Sequence, residues 1–332
     1  MEVKDQGTGA VFTDPDPDHA RAIFKKKSRV KKDKTMTLKR AVETYVNDGD
    51  YLGIGGFGAN RTAVAACHEI VRQKKKNLGF AGHTATHDMQ ILSAGKVFSK
   101  IDVAYVVGLE ARGLSACSRK YMESGDVEVS EWTNYALTVR LKAAAMGVPF
   151  LPARNMMGTD TFNKSGAKTM ICPFTDKKLA LLPALYPDVS FIHVHEADVY
   201  GNCRFKGIAA SDIDLANASK KLVITCERII PHEEIQQNPD LTQIPYLIVD
   251  AVCEVPYGAY PGTMPGLYFS DEDHIKKWMT VEKDPETFSE FLNDNIYECS
   301  GFDEYINKNG GIDKIRRLRR KELLISGEED FA

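Results

Sequence analysis

Asp48-Gly49-Asp50-Tyr51-Leu52-Gly53-Ile54-Gly55-Gly56-Phe57-Gly58-Ala59-Asn60-Arg61 is the most informative stretch of the chain. Tyr51 to Ile54 is a short apolar run of the kind that forms a buried strand, and it leads straight into a cluster of glycines. Beyond the cluster, residues 63–73 set Val64, Cys67, His68 and Val71 on one helical face. A strand that becomes a helix through glycines is a turn at which a parallel sheet presents backbone N–H groups and a helix N-terminus. Such a turn can hold an anion or an oxyanion.

The same alternation continues on both sides of this turn. Upstream, Leu38, Ala41, Val42 and Tyr45 recur at helical spacing behind a Thr37 cap, and Gly49 stops the helix. Downstream, strand-like runs occupy residues 101–107, 179–182, 189–195, 222–226 and 247–255. Helical stretches fall between them, among them 134–146 and 211–219, where Ser211 and Asp214 have capping-box spacing. Apolar strands separated by helices imply βαβ units and an α/β fold, with a mostly parallel open sheet flanked by helices. After Val255 the strands stop, and Asp284-Pro285-Glu286 starts a helix in a C-terminal helical segment expected to wrap the sheet. Residues 1–33 are polar, contain Asp14-Pro15-Asp16-Pro17-Asp18 and read as an N-terminal arm outside the core. The basic run within and just after them, Lys25 to Lys34, reads as a solvated arm or a subunit clasp. Residues 34–326 are expected to form a single domain.

Composition excludes several classes. The chain has 332 residues, 43 Lys+Arg against 46 Asp+Glu, a formal charge of −3 and 43% hydrophobic residues, so disordered, collagenous and coiled-coil chains are ruled out. With no sustained basic stripe there is no electrostatic footprint for nucleic acid. The longest uncharged apolar run, residues 143–153, contains Gly147, Pro149 and Pro152 and is shorter than the ~18 residues a membrane span needs. The N-terminus carries no apolar signal region, so a cytoplasmic location is expected. The seven cysteines are scattered and never form a C-x-x-C pair, which argues against a disulfide framework or zinc ribbon.

The glycine cluster is neither of the two common phosphate loops. No acid stands about 20 residues on, where a dinucleotide fold needs one; Gln73-Lys74-Lys75-Lys76 is there instead. No Gly-Lys-Ser/Thr follows either. His83 and His87 have i,i+4 spacing without the Glu of a zincin, and His193 and His195 share one face of a strand. Nothing makes these two pairs converge, so no metal is expected. There is no G-x-S-x-G elbow, and Cys67-His68 fits a helix face. A glycine turn without a nucleophile suggests that the reactive group lies on a partner.

Several segments together resemble one family. Asp48 through Arg61 resembles the D-G-x-x-(apolar)-G-G-F signature of family I CoA-transferases, specifically the A (alpha) subunit of the glutaconate CoA-transferase type. Ala143-Ala144-Ala145-Met146-Gly147-Val148-Pro149-Phe150-Leu151-Pro152 is similar to the A-A-A-x-G-x-P-F-L-P stretch of such alpha chains. So are Cys226-Glu227-Arg228-Ile229-Ile230, Glu233-Glu234-Ile235, Val249-Asp250-Ala251-Val252, Pro256-Tyr257-Gly258-Ala259-Tyr260-Pro261 and Gly266-Leu267-Tyr268 to their counterparts there. The resemblance spans residues 37–312 and implies a CoA-transferase/NagB-like sheet.

It also implies a heteromer. In that family a B subunit carries the catalytic glutamate in an S-E-N-G-like motif, which this sequence does not contain, and heterodimers assemble to heterotetramers or larger. The glutamate attacks an acyl-CoA thioester to give a mixed anhydride and CoA thiolate, which recombine as a glutamyl-CoA thioester and free acid. A second acid runs the steps backwards, so coenzyme A is a cosubstrate and no tightly bound cofactor is needed. By the resemblance this chain supplies no catalytic residue of its own. Gly55 and Gly56 are expected to offer oxyanion donors, Phe57 to close the loop, and Asn60 and Arg61 to meet substrate, Arg61 by pairing with a carboxylate. His83, Thr84 and Thr86 replace small residues of the family's second glycine-rich loop, and Tyr260 stands where the family usually has His. Tyr257 and Gly258 are secondary candidates. A related group opens steroid-derived CoA-thioester rings hydrolytically with an acid of its A chain; Glu131 and Asn134 cover that region, and the amide of Asn134 is not a base.

Overall fold

The computed structural model describes residues 3–106 and 112–325. Strand β1 (Tyr51–Ile54) lies in the middle of the main sheet. On one side it pairs in parallel with β2 (Leu78–Gly82), followed by β3 (Phe98–Val103) and β4 (Glu128–Glu131). A small antiparallel sheet is built from β5 (Phe150–Ala153), β6 (Lys168–Ile171) and β7 (Lys178–Pro183), with β7 in its centre. On the other side of β1 the main sheet continues in parallel through β8 (Val189–Ala197), β10 (Lys221–Ile229) and β11 (Ala251–Glu254), while short β9 (Cys203–Arg204) turns back antiparallel on β8.

Alternate residues of these strands enter two different cores, as the period of a strand requires. Leu52, Phe80, Phe191 and Val223 pack with α2 (Leu38–Tyr45), α3 (Val64–Arg72) and α4 (His87–Ala94). Tyr51, Ile192, Val194 and Ile224 pack on the opposite face with α6 (Asn134–Met146), α8 (Asp212–Ala218) and Ala20 of α1 (Pro17–Phe24). Both faces are therefore covered, the condition under which a parallel sheet is stable. Helices end where local chemistry says they should: Thr133 accepts from the Ala136 N–H at the start of α6, and Gly147 closes it in a left-handed conformation. The remaining helices are α5 (Ala116–Glu123), α7 (Asp160–Asn163), α9 (His232–Gln237) and the C-terminal group α10 (Glu272–Val281), α11 (Pro285–Leu292), α12 (Phe302–Lys308) and α13 (Gly311–Glu322). Trp278, Phe291, Phe302, Tyr305 and Leu318 of that group join the first core, so the helical tail wraps that face. No helix among the described residues is long and apolar enough to cross a membrane.

Four details differ from expectation. The run at 179–182 is a strand, but it belongs to the antiparallel sheet, where prolines such as Pro152 and Pro183 are tolerated at edges and ends. Of the run expected at 247–255, only Ala251–Glu254 is a strand, because Tyr246–Ile248 makes a 3₁₀ turn before it. The strand expected at 101–107 begins earlier and ends at Val103; position 107 lies outside the described residues. The N-terminal residues, expected to lie outside the core, also touch it through Ala20, while most of the basic run Lys25–Lys34 is exposed. Residues 4–6 ladder onto β6 through Lys4 N–H to Thr169 O and Thr169 N–H to Asp5 O, while Lys27 pairs with Asp250 at 2.8 Å. The Lys34 ammonium is buried on the carbonyls of Tyr246 and Val249, and burial lowers its pKa.

Candidate active site

Because the main strands run parallel, the glycine turn after β1, the loop after β2 and the ends of β8 and β10 all open on the same carboxyl edge. Gly56 sits at φ +98°, and a Cβ there would fall 2.6 Å from the carbonyl oxygen of Asn60, so the turn requires glycine. Phe57 and Asn60 exchange backbone hydrogen bonds across the tip. The tip is held from both sides: Thr263 N–H donates to Ala59 O at 2.7 Å, and the hydroxyls of Thr62 and Thr86 both donate to Gly58 O.

These bonds correct the expected oxyanion site. The Gly55 N–H already donates to Phe191 O at 2.8 Å, and the Gly56 N–H donates to the Asp212 carboxylate at 2.7 Å. Neither backbone donor is free. Half-buried Phe57 does flank the turn, its ring 5.7 Å from that of His83.

Arg61 is a second correction. Its side chain is fully buried and its Nη2 lies 2.6 Å from Asp212, which is equally buried. The guanidinium also donates to the Ile208 carbonyl and packs over the Phe205 ring, 4.4 Å from its centroid. Asp212 heads α8, where burial raises its pKa against the downward pull of Arg61. Arg61 is thus an internal brace of the turn and not an open carboxylate clamp. Its partner lies so far along the chain that no local pattern announces the pair.

His83 stands between two hydroxyls, with Nδ1 2.9 Å from Ser211 Oγ and Nε2 3.1 Å from Thr138 Oγ1. Burial pushes its pKa down to about 4, so the ring is neutral at ordinary pH. Thr84 adopts φ +50° with its hydroxyl buried and unbonded among the described residues, and Thr86 latches the loop to Gly58. Asn134 begins α6 with its side-chain amide oxygen buried and unbonded among the described residues. Glu131 pairs with Lys164 at 3.1 Å. His87 diverges from His83, packing on Trp278 with ring centroids 4.9 Å apart. Among the described residues no group of three or more His, Cys, Asp or Glu is placed to hold a metal ion.

The sequence model of one family, coenzyme A transferase, matches residues 35–255, two thirds of the chain. The chain belongs to the coenzyme A transferase family. The alpha-type chain of glutaconate CoA-transferase from Acidaminococcus fermentans is 33% identical over 295 residues, 83% of this chain and 92% of that one. The crystal structure of that enzyme superposes with a TM-score of 0.82 at 32% identity, covering 86% of this chain and 95% of the other. The corresponding chain of 3-oxoadipate CoA-transferase from Pseudomonas knackmussii is 31% identical over 274 residues, 81% of this chain and 96% of its own length. The IpdA subunit of the cholesterol ring-cleaving hydrolase from Rhodococcus jostii is 28% identical over 272 residues, 79% and 91% respectively. This is a family I CoA-transferase chain of the A (alpha) type.

Glu227, near the end of β10, is a feature of this CoA-transferase chain that was not among the expected site residues. It accepts from Tyr268 OH at 2.6 Å and from the Tyr257 N–H at 2.7 Å, and lies 2.9 Å from His193 Nε2. It thereby holds Tyr257 at φ +63°, a conformation that costs a non-glycine residue. Gly258 follows because a Cβ there would fall 2.6 Å from the His193 ring. Tyr260 points elsewhere, donating to Asp271 at 2.6 Å among the C-terminal helices. The advance signals for Glu227 were its place in the family-like segment Cys226–Ile230 and an acid following the apolar run 222–226.

Proposed function

We propose that this chain is the A (alpha) half of a cytoplasmic two-subunit enzyme that moves CoA between an acyl-CoA and a carboxylic acid. The observation that carries this reading is the glycine-built turn on the carboxyl edge, in a chain 33% identical to the alpha-type chain of glutaconate CoA-transferase. The partner's glutamate attacks the thioester carbonyl, the C–S bond breaks, and CoA leaves as thiolate while a mixed anhydride forms. The thiolate then attacks the glutamyl carbonyl and displaces the acid. The A chain walls the acyl pocket with Phe57 and the neutral ring of His83, and the Asn60 amide at the tip takes the donor role that the engaged N–H groups of Gly55 and Gly56 cannot. The two chains pair as a heterodimer that assembles into a heterotetramer or larger.

The test is co-expression with a B-type partner, followed by incubation with acyl-CoA and labelled acetate. Label recovered as acetyl-CoA, absent with either chain alone, is the expected result. A second reading, a CoA-thioester ring-opening hydrolase, draws on the IpdA relationship, on Asn134 beside His83 and on Glu131 at the end of β4. Consumption of thioester without dependence on an acceptor acid would favour it over transfer.

A further inference from the structure

On the edge of the sheet opposite the glycine turn, a cleft of about 610 Å³ opens between the C-terminal end of α4, α5 and α11. The Tyr121 hydroxyl fixes it there by donating to the carbonyl of Phe98, the first residue of β3. Ala94, Tyr121, Phe288 and Leu292 give the cleft an apolar lining. Lys96, Lys120 and Lys283 add three exposed cations, none with an ion-pair partner among the described residues. Of the two carboxylates that line it, Asp126 is exposed, and Glu282 is engaged by the Ser115 hydroxyl at 3.0 Å and the Ala116 N–H at 2.8 Å. These charges converge on Cys117. Burial, helped by Glu282, pushes its thiol up to about 11, while Lys96 and Lys120 pull it down. Ser93 also lines the cleft, with its hydroxyl buried and unbonded among the described residues. The Lys96 N–H donates to the Ser93 carbonyl, so both side chains start from one tight turn. A buried hydroxyl left unbonded calls for a partner that the chain itself does not provide.

We propose that this cleft is an effector site for a medium-chain aliphatic carboxylate, with the acid on Ser93 Oγ, Lys96 and Lys120 and the tail along Phe288 and Leu292. Its volume and its mix of apolar lining with a few polar groups are those of a small-molecule site. Burial of the tail drives binding, and the lysines select an acid over an alcohol of the same length. Two connections lead from the cleft to the glycine turn. Helix α4 has only eight residues; its last turn lines the cleft, and its cap, Thr86, latches the turn at Gly58. Phe288 packs on Trp278, which packs in turn on His87, the first residue of the same helix. Occupancy at one end of α4 therefore bears on the latch at the other. The effect on rate rests on the CoA-transferase reading above, whereas the binding does not.

The decisive measurement is alkylation of Cys117 by iodoacetamide at alkaline pH in the full chain, read by peptide mass spectrometry with and without octanoate. Octanoate should slow the reaction about fivefold or more, and octanol at the same concentration should not. In the Lys96→Gln/Lys120→Gln variant, protection should need about tenfold more octanoate. Both lysines are exposed, so these substitutions leave the fold intact. No protection, or protection equal in the variant or with octanol, overturns the assignment. Protection of Cys117 by a B-type partner alone makes the cleft an interface and overturns it too. In the two-subunit enzyme at saturating acyl-CoA and acetate, octanoate should change kcat about twofold or more, and the variant enzyme should not respond. An unchanged kcat, or the same change in the variant, removes the effector role and leaves the transferase reading standing. A complex that transfers no CoA at all removes the transferase reading, while the alkylation still decides the cleft.

Discussion

The guanidinium of Arg61 stands 2.6 Å from the carboxylate of Asp212, with neither side chain open to solvent. The other oxygen of that carboxylate accepts the Gly56 N–H, so one buried acid ties together the residue after the turn and the turn itself. Removing one member of such a pair leaves an uncompensated buried charge, which costs about 3–5 kcal/mol. Arg61→Met should therefore lower the unfolding free energy from urea titration by that amount and raise KM for dicarboxylates and monocarboxylates alike. A stable Arg61→Met chain with a selective dicarboxylate defect would restore the substrate-clamp role.

Gly56→Ala tests the turn itself. The added Cβ meets Asn60 O and Thr62 N at 2.6 Å, in a backbone conformation that disfavours side chains. The turn must open or the strain must be carried, at a cost of about 1–3 kcal/mol. Transfer activity should fall steeply while the far-ultraviolet circular dichroism spectrum stays native. Full activity in this variant would mean that the turn's shape is not needed.

Much of this architecture was readable in advance wherever the determining forces are local. The β1–glycine–α3 unit follows from one apolar run and one helical face, and α6 from its Thr133 cap and Gly147 stop. Strand β2, Leu78-Gly79-Phe80-Ala81-Gly82, was hidden because two glycines and an alanine give it little strand propensity; only its burial between β1 and β3 makes it one. The antiparallel sheet was hidden for a related reason, since β5 and β6 are four residues long and β5 contains Pro152. At the site, the glycines marked the right place but not what their N–H groups do. Asp212 lies 151 residues from Arg61, and Glu227 lies 41 from Tyr268, so both contacts arise only from the crossing of strands at the sheet edge.

Acid should loosen the helical tail. Burial holds the His87 pKa down to about 4, and burial together with the nearby His87 ring holds His274 to about 3. Both are neutral in the folded state, whereas the unfolded chain takes up protons near pH 6.5. Their stabilisation is therefore complete above pH 6.5 and is lost as pH falls toward 4 and 3, each histidine giving up about 2 kcal/mol between pH 7 and 5. Asp88 works the other way, because burial raises it to about 6 and its protonation favours the folded state, offsetting part of the loss. The urea midpoint should fall between pH 7 and 5, and it should fall less in His87→Gln. An equal fall in that variant would exclude His87 as a source.

His83 lies with its two nitrogens within 3.1 Å of the hydroxyls of Thr138 and Ser211, which can each donate or accept, so the neutral ring is satisfied in either tautomer. Protonation would turn both nitrogens into donors and charge a group that burial already disfavours, which is why its pKa is pushed down to about 4. The imidazole carbon signal of His83 should accordingly titrate well below pH 5, and the pH profile of CoA transfer should show no limb near 6.5 that disappears in His83→Gln. That substitution keeps one donor and one acceptor at the position, and it should preserve stability while altering which acyl groups are accepted. His83→Ala leaves the buried Ser211 hydroxyl and the half-buried Thr138 hydroxyl without this partner and should cost about 1–3 kcal/mol more than His83→Gln. A ring that titrates between pH 6 and 7 would mean that the pocket beside Phe57 is open to water, and would remove His83 as a neutral wall for the acyl group.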